Sequence, residues 1–208
     1  MTGRFIVIEG PDGSGTTLHS KLLAERLMER GIDVLVTSEP TDGPIGTEIR
    51  SMLCGNEMPQ ADAVQLLFCA DRAEHVAKVI LPALEKGTTV ISDRYSLSTI
   101  VYGAAQGLDE KWLHELNDKF PLPDIRVIAL PPLETCLERM KRRDTLDQYE
   151  NGGLQKKVYE GYKNVDLPDT IFVDTSKEKQ KTADEIWSHI EPLFQPISRE
   201  NIVELNDI

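Results

Sequence analysis

Long hydrophobic runs are missing from this 208-residue chain. None approaches the roughly 20 apolar residues that cross a bilayer, which excludes a membrane-spanning helix. Positive charge is the scarcer sign: 23 lysines and arginines stand against 35 aspartates and glutamates, a net charge of −12. Long nucleic acids need a basic surface, so they are excluded as partners. Cysteine is sparse too. Cys54, Cys69 and Cys136 are scattered, odd in number and form no CxxC pair. They read as reduced, mostly buried thiols of a cytoplasmic protein, with no disulfide framework or zinc site. His19, His75, His114 and His189 sit at no metal-ligand spacing. The sequence enters a strand almost at once, so no signal peptide is expected.

What is present is an alternation of strand-like and helix-like segments. Apolar, β-branched runs occur at 5–8, 34–37, 88–92, 126–130 and 170–174. Helical patterns separate them at about 16–30, 61–84, 96–105, 133–142 and 177–190. Such alternation predicts an α/β fold, a parallel sheet flanked by helices with ligands at the carboxyl ends of its strands. No repeat or linker is visible, and the length suits one domain. Gly152-Gly153 marks a break where a segment could hinge. Residues 199–208 lack a core pattern and are expected to form a tail.

The first strand runs into Gly10-Pro-Asp-Gly-Ser-Gly-Thr-Thr17. The spacing fits the phosphate-loop pattern G-x-x-x-x-G-K-[ST], with Gly10, Gly15 and Thr17 on their positions. Thr16 stands where that pattern has lysine. Pro11, Asp12, Gly13 and Ser14 fill the turn. A strand, a glycine turn and a helix N-terminus give oriented N–H donors for phosphate. The Thr17 hydroxyl is placed for Mg²⁺. A glycine turn that merely joins strand to helix is the bland alternative, disfavoured because spacing and context agree.

Asp93-Arg94-Tyr95 follows the third strand. An aspartate there can hold the hydration shell of Mg²⁺, and the arginine can clamp a phosphate. Phe68 and Arg72 lie four apart, hence on one helical face. An aromatic plate beside a planar donor suits a nucleobase, although each taken alone is more often core or surface. The run Arg139-Met-Lys-Arg-Arg143 concentrates positive charge. By itself it reads as a solvated helix end.

With these blocks in order, the chain resembles the thymidylate kinases, P-loop enzymes that move the γ-phosphate of ATP onto dTMP. The match rests on Gly10–Thr17, Ser38-Glu-Pro40 with Pro44-Ile-Gly46, Leu66–His75, and Asp93-Arg-Tyr95 with Ser98 to Tyr102. Arg143–Glu150 resembles the family's lid and Asp174-Thr-Ser176 the turn near adenine. The resemblance implies a P-loop NTPase-type three-layer fold with a five-stranded parallel sheet. It also implies a single kinase domain over 1–192, a lid at about 139–152 and a tail from 193 to 208. Mg²⁺ as cofactor and a cytoplasmic homodimer are implied as well. Asp12 would contact the sugar or orient the substrate arginine. Phe68 would stack on thymine, Arg72 and Thr99 would contact its edge, and Tyr102 would pack under the deoxyribose. Arg94 would grip the dTMP phosphate, Asp93 and Thr17 would sit near Mg²⁺, and Glu39 would join the metal or phosphate network.

Four positions depart from the family pattern: Thr16 for lysine, Ser38 for arginine, Gly103 for glutamine and Gln148 for a lid arginine. Losses at 16 and 148 remove positive charge near the transferring phosphate. Arg143, with Arg139 or Arg142, is the expected compensation. The alternatives to a dTMP kinase are a kinase for another pyrimidine monophosphate and a catalytically weak nucleotide-binding protein.

Overall fold

The computed structural model describes residues 3–55, 59–142, 149 and 152–195. Five parallel strands form one sheet in the order β2-β3-β1-β4-β5. They are β1 (Phe5–Glu9), β2 (Val34–Ser38), β3 (Thr89–Asp93), β4 (Ile125–Ala129) and β5 (Thr170–Val173). All five expected strands are present, and their ends shift by a residue at most. The central strands β1, β3 and β4 are buried along their whole length. That explains their unbroken apolar character, since both faces are covered.

The helices are α1 (Thr16–Met28), α2 (Pro44–Cys54), α3 (Ala61–His75), α4 (Leu81–Glu85), α5 (Ser96–Ala105), α6 (Glu110–Asn117), α7 (Leu133–Lys141), α8 (Gly152–Lys163) and α9 (Lys179–Ile190). Side chains alternate across each strand. Ile6 and Ile8 of β1 therefore join Leu23 and Leu27 of α1 and Ile186 and Ile190 of α9 on one face. Phe5 and Val7 join Val76, Ile80 and Tyr95 on the other. A third cluster gathers α2, α5 and α8 through Ile49, Val101 and Val158. The result is a helix–sheet–helix sandwich, as expected.

Three differences are informative. The single helix expected over 61–84 is interrupted by a π-turn at Val76–Ile80. Pro82 follows immediately, and a proline that lacks its N–H and crowds the preceding turn accounts for a local change of register. Gly152-Gly153, expected as a hinge, opens α8. Leu193 and Phe194, assigned to the tail, pack against the α1–α9 cluster. Arg143 and Gln148 lie outside the described residues, as does 196–208.

Candidate active site

The phosphate loop leaves the carboxyl end of β1 and ends at the N-terminus of α1. Gly13 and Gly15 have φ of 78° and 95°, a backbone region that favours glycine. A Cβ on Gly13 would lie 2.4 Å from the Cys136 carbonyl oxygen, so α7 closes the loop from behind. Arg139 of α7 donates to the carbonyl oxygens of Gly13 at 3.2 Å, Ser14 at 3.4 Å and Thr175 at 2.8 Å. These bonds tie the loop's carbonyls back. No side chain caps α1 at Gly15. Its first-turn N–H groups are thus suited to an anion. Thr16 is buried at the start of this helix.

Thr17 faces the end of β3, where its Oγ1 donates to Asp93 Oδ2 at 2.5 Å. The other Asp93 oxygen is buried without a hydrogen-bond partner. A buried carboxylate oxygen left open is costly unless a cation or water meets it. Thr17 and Asp93 line one cleft with Lys21 and Ser38. This pair could hold a hydrated divalent cation.

Next along the chain, Arg94 has φ 71°, an uncommon conformation for a side chain with a Cβ. It is held there by its own N–H, which donates to the Ile8 carbonyl at 2.9 Å, and by Ser92 Oγ, which donates to its carbonyl at 2.7 Å. The guanidinium donates to Asp12 Oδ1 at 2.6 Å, to the Gly10 carbonyl at 2.8 Å and to Ser98 Oγ at 3.2 Å. Asp12 Oδ2 in turn accepts from Tyr102 Oη at 2.8 Å and Gln155 Nε2 at 2.7 Å. Asp12 thus bridges Arg94 to Tyr102 and Gln155. Beneath this pair, Glu9 accepts from the backbone N–H of Tyr95 at 2.9 Å, from Ser98 Oγ at 2.6 Å and from Tyr162 Oη at 3.0 Å. Burial raises the Glu9 pKa, against the pull of Ser98 and Arg94.

A cavity of about 120 Å³ adjoins the Asp12–Arg94 pair. Phe68, Arg72, Thr99 and Tyr102 all line it, as does Glu39. Arg72 is buried at 1% exposure. Its Nε donates to Glu39 Oε2 at 2.8 Å, its Nη2 to Thr99 Oγ1 at 3.0 Å and its Nη1 to Asn117 Oδ1 at 2.5 Å. The Glu39 carboxylate accepts from Arg72 and bonds His75, the latter at 3.0 Å. His75 is a satisfied core histidine, bonded also to Thr37 at 2.7 Å.

Several residues of this site carry no pattern that sequence reasoning could have used. Asn117 ends α6, a helix that was not expected, and Gln155 and Tyr162 come from α8, another. Tyr149 reaches the cavity and places its ring 5.5 Å from that of Tyr102. Arg139 was named as a candidate compensating charge, but nothing in the sequence signals its bonds to the carbonyls of Gly13, Ser14 and Thr175.

A family model described as thymidylate kinase matches residues 8–186. The chain belongs to the thymidylate kinase family. A probable thymidylate kinase of Pyrococcus horikoshii is 46% identical over 169 residues, covering 78% of this chain and 82% of the relative. A thymidylate kinase of Thermomicrobium roseum is 39% identical over 199 residues, covering 89% and 93%. Among solved structures, thymidylate kinase from Candida albicans superimposes with a TM-score of 0.80 at 27% identity, covering 92% of each chain. In this family the five-stranded parallel sheet and its flanking helices are the shared scaffold.

Proposed function

We propose that this chain is an ATP-dependent phosphotransferase that converts dTMP to dTDP. The observation that carries it is the contiguity of three parts. An uncapped helix N-terminus suits the donor phosphates. The Asp12-braced Arg94 suits the acceptor phosphate. The aromatic cavity of Phe68 and Tyr102, with Arg72 at its wall, suits a pyrimidine nucleoside.

Phosphoryl transfer depends on positioning and charge neutralisation. Arg94 would hold the dTMP phosphate in line with the donor, and Tyr102 would fix the sugar through its bond to Asp12. The residues present fit a magnesium ion, because Thr17 offers a hydroxyl and Asp93 an open carboxylate oxygen. Mg²⁺, when bound with ATP, neutralises charge on the phosphate oxygens. The positive charge that Thr16 does not provide is assigned to the lid arginine Arg143 and to Lys21, which lines the Thr17–Asp93 cleft. A single arginine at the transition state can be worth roughly a thousand-fold or more.

Coupled ADP release across dTMP, dUMP, dCMP and ribonucleotide monophosphates tests the assignment. Fastest turnover with dTMP supports it, and turnover confined to another base replaces it. Tight dTMP binding without turnover would favour a nucleotide-binding protein, the second reading that Thr16 and Ser38 keep open. Arg143→Ala is expected to lower kcat strongly, while Thr16→Lys changes it only modestly. We further infer a cytoplasmic homodimer built on one kinase domain, with its lid at about 139–152 and its C-terminal boundary moved from 192 to take in Leu193 and Phe194. The dimer is supported by exposed Leu66 and Leu81, on α3 and α4, and sedimentation tests it.

A further inference from the structure

Gln65 of α3 lies in the wall of the base cavity, three residues before Phe68, and is fully buried. Its side-chain nitrogen donates to Tyr149 Oη at 3.2 Å and to Gln106 Oε1 at 3.4 Å. Both hydrogens of that NH₂ are thereby used. Its oxygen, Oε1, is buried and has no hydrogen-bond partner. Orphaned buried acceptors are rare because the lost hydration is not recovered. The partner that completes this one arrives with the ligand.

The surroundings restrict that partner. Gly103 of α5 faces Gln65, and a Cβ there would lie 3.4 Å from Gln65 Cγ and 2.8 Å from Leu113. Leu113 and Gln65 together fill the space beside Gly103, and the Gln65 amide is held at the end of α5 by Gln106. Beside it, Arg72 is committed to Glu39, Thr99 and Asn117 through three hydrogen bonds and the ion pair. Its remaining Nη1 hydrogen meets Cys69 Sγ, at 4.0 Å. Gln65 Oε1 is thus the acceptor of this wall that no protein donor meets.

We propose that Gln65 is a specificity-determining residue whose Oε1 accepts the N3–H of a 4-oxopyrimidine. This rests on the dTMP assignment above and names the atom that reads the base. Thymine and uracil present N3–H beside a carbonyl. Cytosine presents a bare N3, so acceptor would meet acceptor. A buried polar group left unpaired by the wrong ligand is a strong source of discrimination.

The test compares wild type, Gln65→Met and Gln65→Asn in the full chain, by ADP release and by calorimetric binding of dTMP and dCMP. Gln65→Met keeps the volume and removes the acceptor, while Gln65→Asn stays polar and withdraws it by one methylene. Both variants are expected to lose about tenfold in kcat/KM for dTMP, mostly through KM, and to narrow the dTMP-over-dCMP ratio by about tenfold. A merely structural role would lower both substrates together and leave that ratio unmoved. A ratio within about twofold of wild type in both variants overturns the role of Gln65 while leaving the dTMP assignment intact. Wild type that prefers dCMP, in turnover or in binding, overturns both.

Discussion

Arg94 reaches from the end of β3 to the phosphate loop and donates to Asp12 at 2.6 Å. Both side chains are largely shielded, at 19% and 16% exposure, so the ion pair is screened much less than a surface one. The pair therefore ties the phosphate loop to the turn after β3. Asp12→Asn keeps the shape and removes the charge. Arg94 retains Gly10 and Ser98 as acceptors, so the fold should survive. The expected outcome is a drop in kcat of roughly a hundredfold, as for a misplaced reacting group. Steady-state kinetics with saturating dTMP checks it, and unchanged kcat would show that Asp12 positions nothing.

A buried charge pair lies deeper, where Glu39 at 3% side-chain exposure meets Arg72 at 1%, 2.7 Å apart. Such a pair adds little over an apolar core, but removing one partner strands the other. Glu39→Gln should destabilise the protein by about 3–5 kcal/mol. Denaturant unfolding measures this directly. The same change should weaken dTMP binding, since Glu39 fixes the guanidinium that borders Phe68 and Thr99.

Thr17 and Asp93 form the third testable pair. Thr17→Val keeps the volume and removes the hydroxyl that donates to Asp93. If that hydroxyl helps hold Mg²⁺, the variant should need roughly 10- to 100-fold more Mg²⁺ for half-maximal turnover. A magnesium titration at fixed ATP gives the answer. An unchanged midpoint would move the metal elsewhere.

The parts of this site that sequence revealed are those fixed by local rules. The Gly10–Thr17 turn needs glycine at positive φ, and Thr17 and Asp93 sit at ends of a helix and a strand that periodicity locates. Phe68 and Arg72 share a face because a helix repeats every 3.6 residues. Partners brought in by tertiary packing carry no such spacing. Asn117 and Gln155 meet Arg72 and Asp12 across 45 and 143 residues of sequence. The short helices α2 and α6 were missed because each buries only one or two large apolar residues: Ile49 and Leu53 in one, Leu113 in the other. Glu39 was assigned to the metal or phosphate network by resemblance alone, and no spacing in the sequence signals its bonds to Arg72 and His75.

His19, on the first turns of α1, gives a pH signature independent of turnover. It is buried at 3% exposure, and its Nδ1 has no hydrogen-bond partner. Burial, with the nearby charges of Arg139 and Lys179, pushes its pKa from an ordinary 6.5 down to about 4. Between those values the unfolded chain takes up a proton at this histidine and the folded chain does not. Protons bound preferentially by the unfolded state lower stability as pH falls. The contribution is therefore complete above pH 6.5 and declines steadily as the pH falls toward about 4. His19→Gln removes the titration while keeping a polar side chain of similar reach. Unfolding midpoints measured across this window should slope less in the variant than in wild type, with the two curves diverging most below pH 6.5. Parallel curves would mean that His19 takes up its proton in the folded protein as readily as in the unfolded chain. That outcome would place its ring in solvent and not against the arginine that braces the loop.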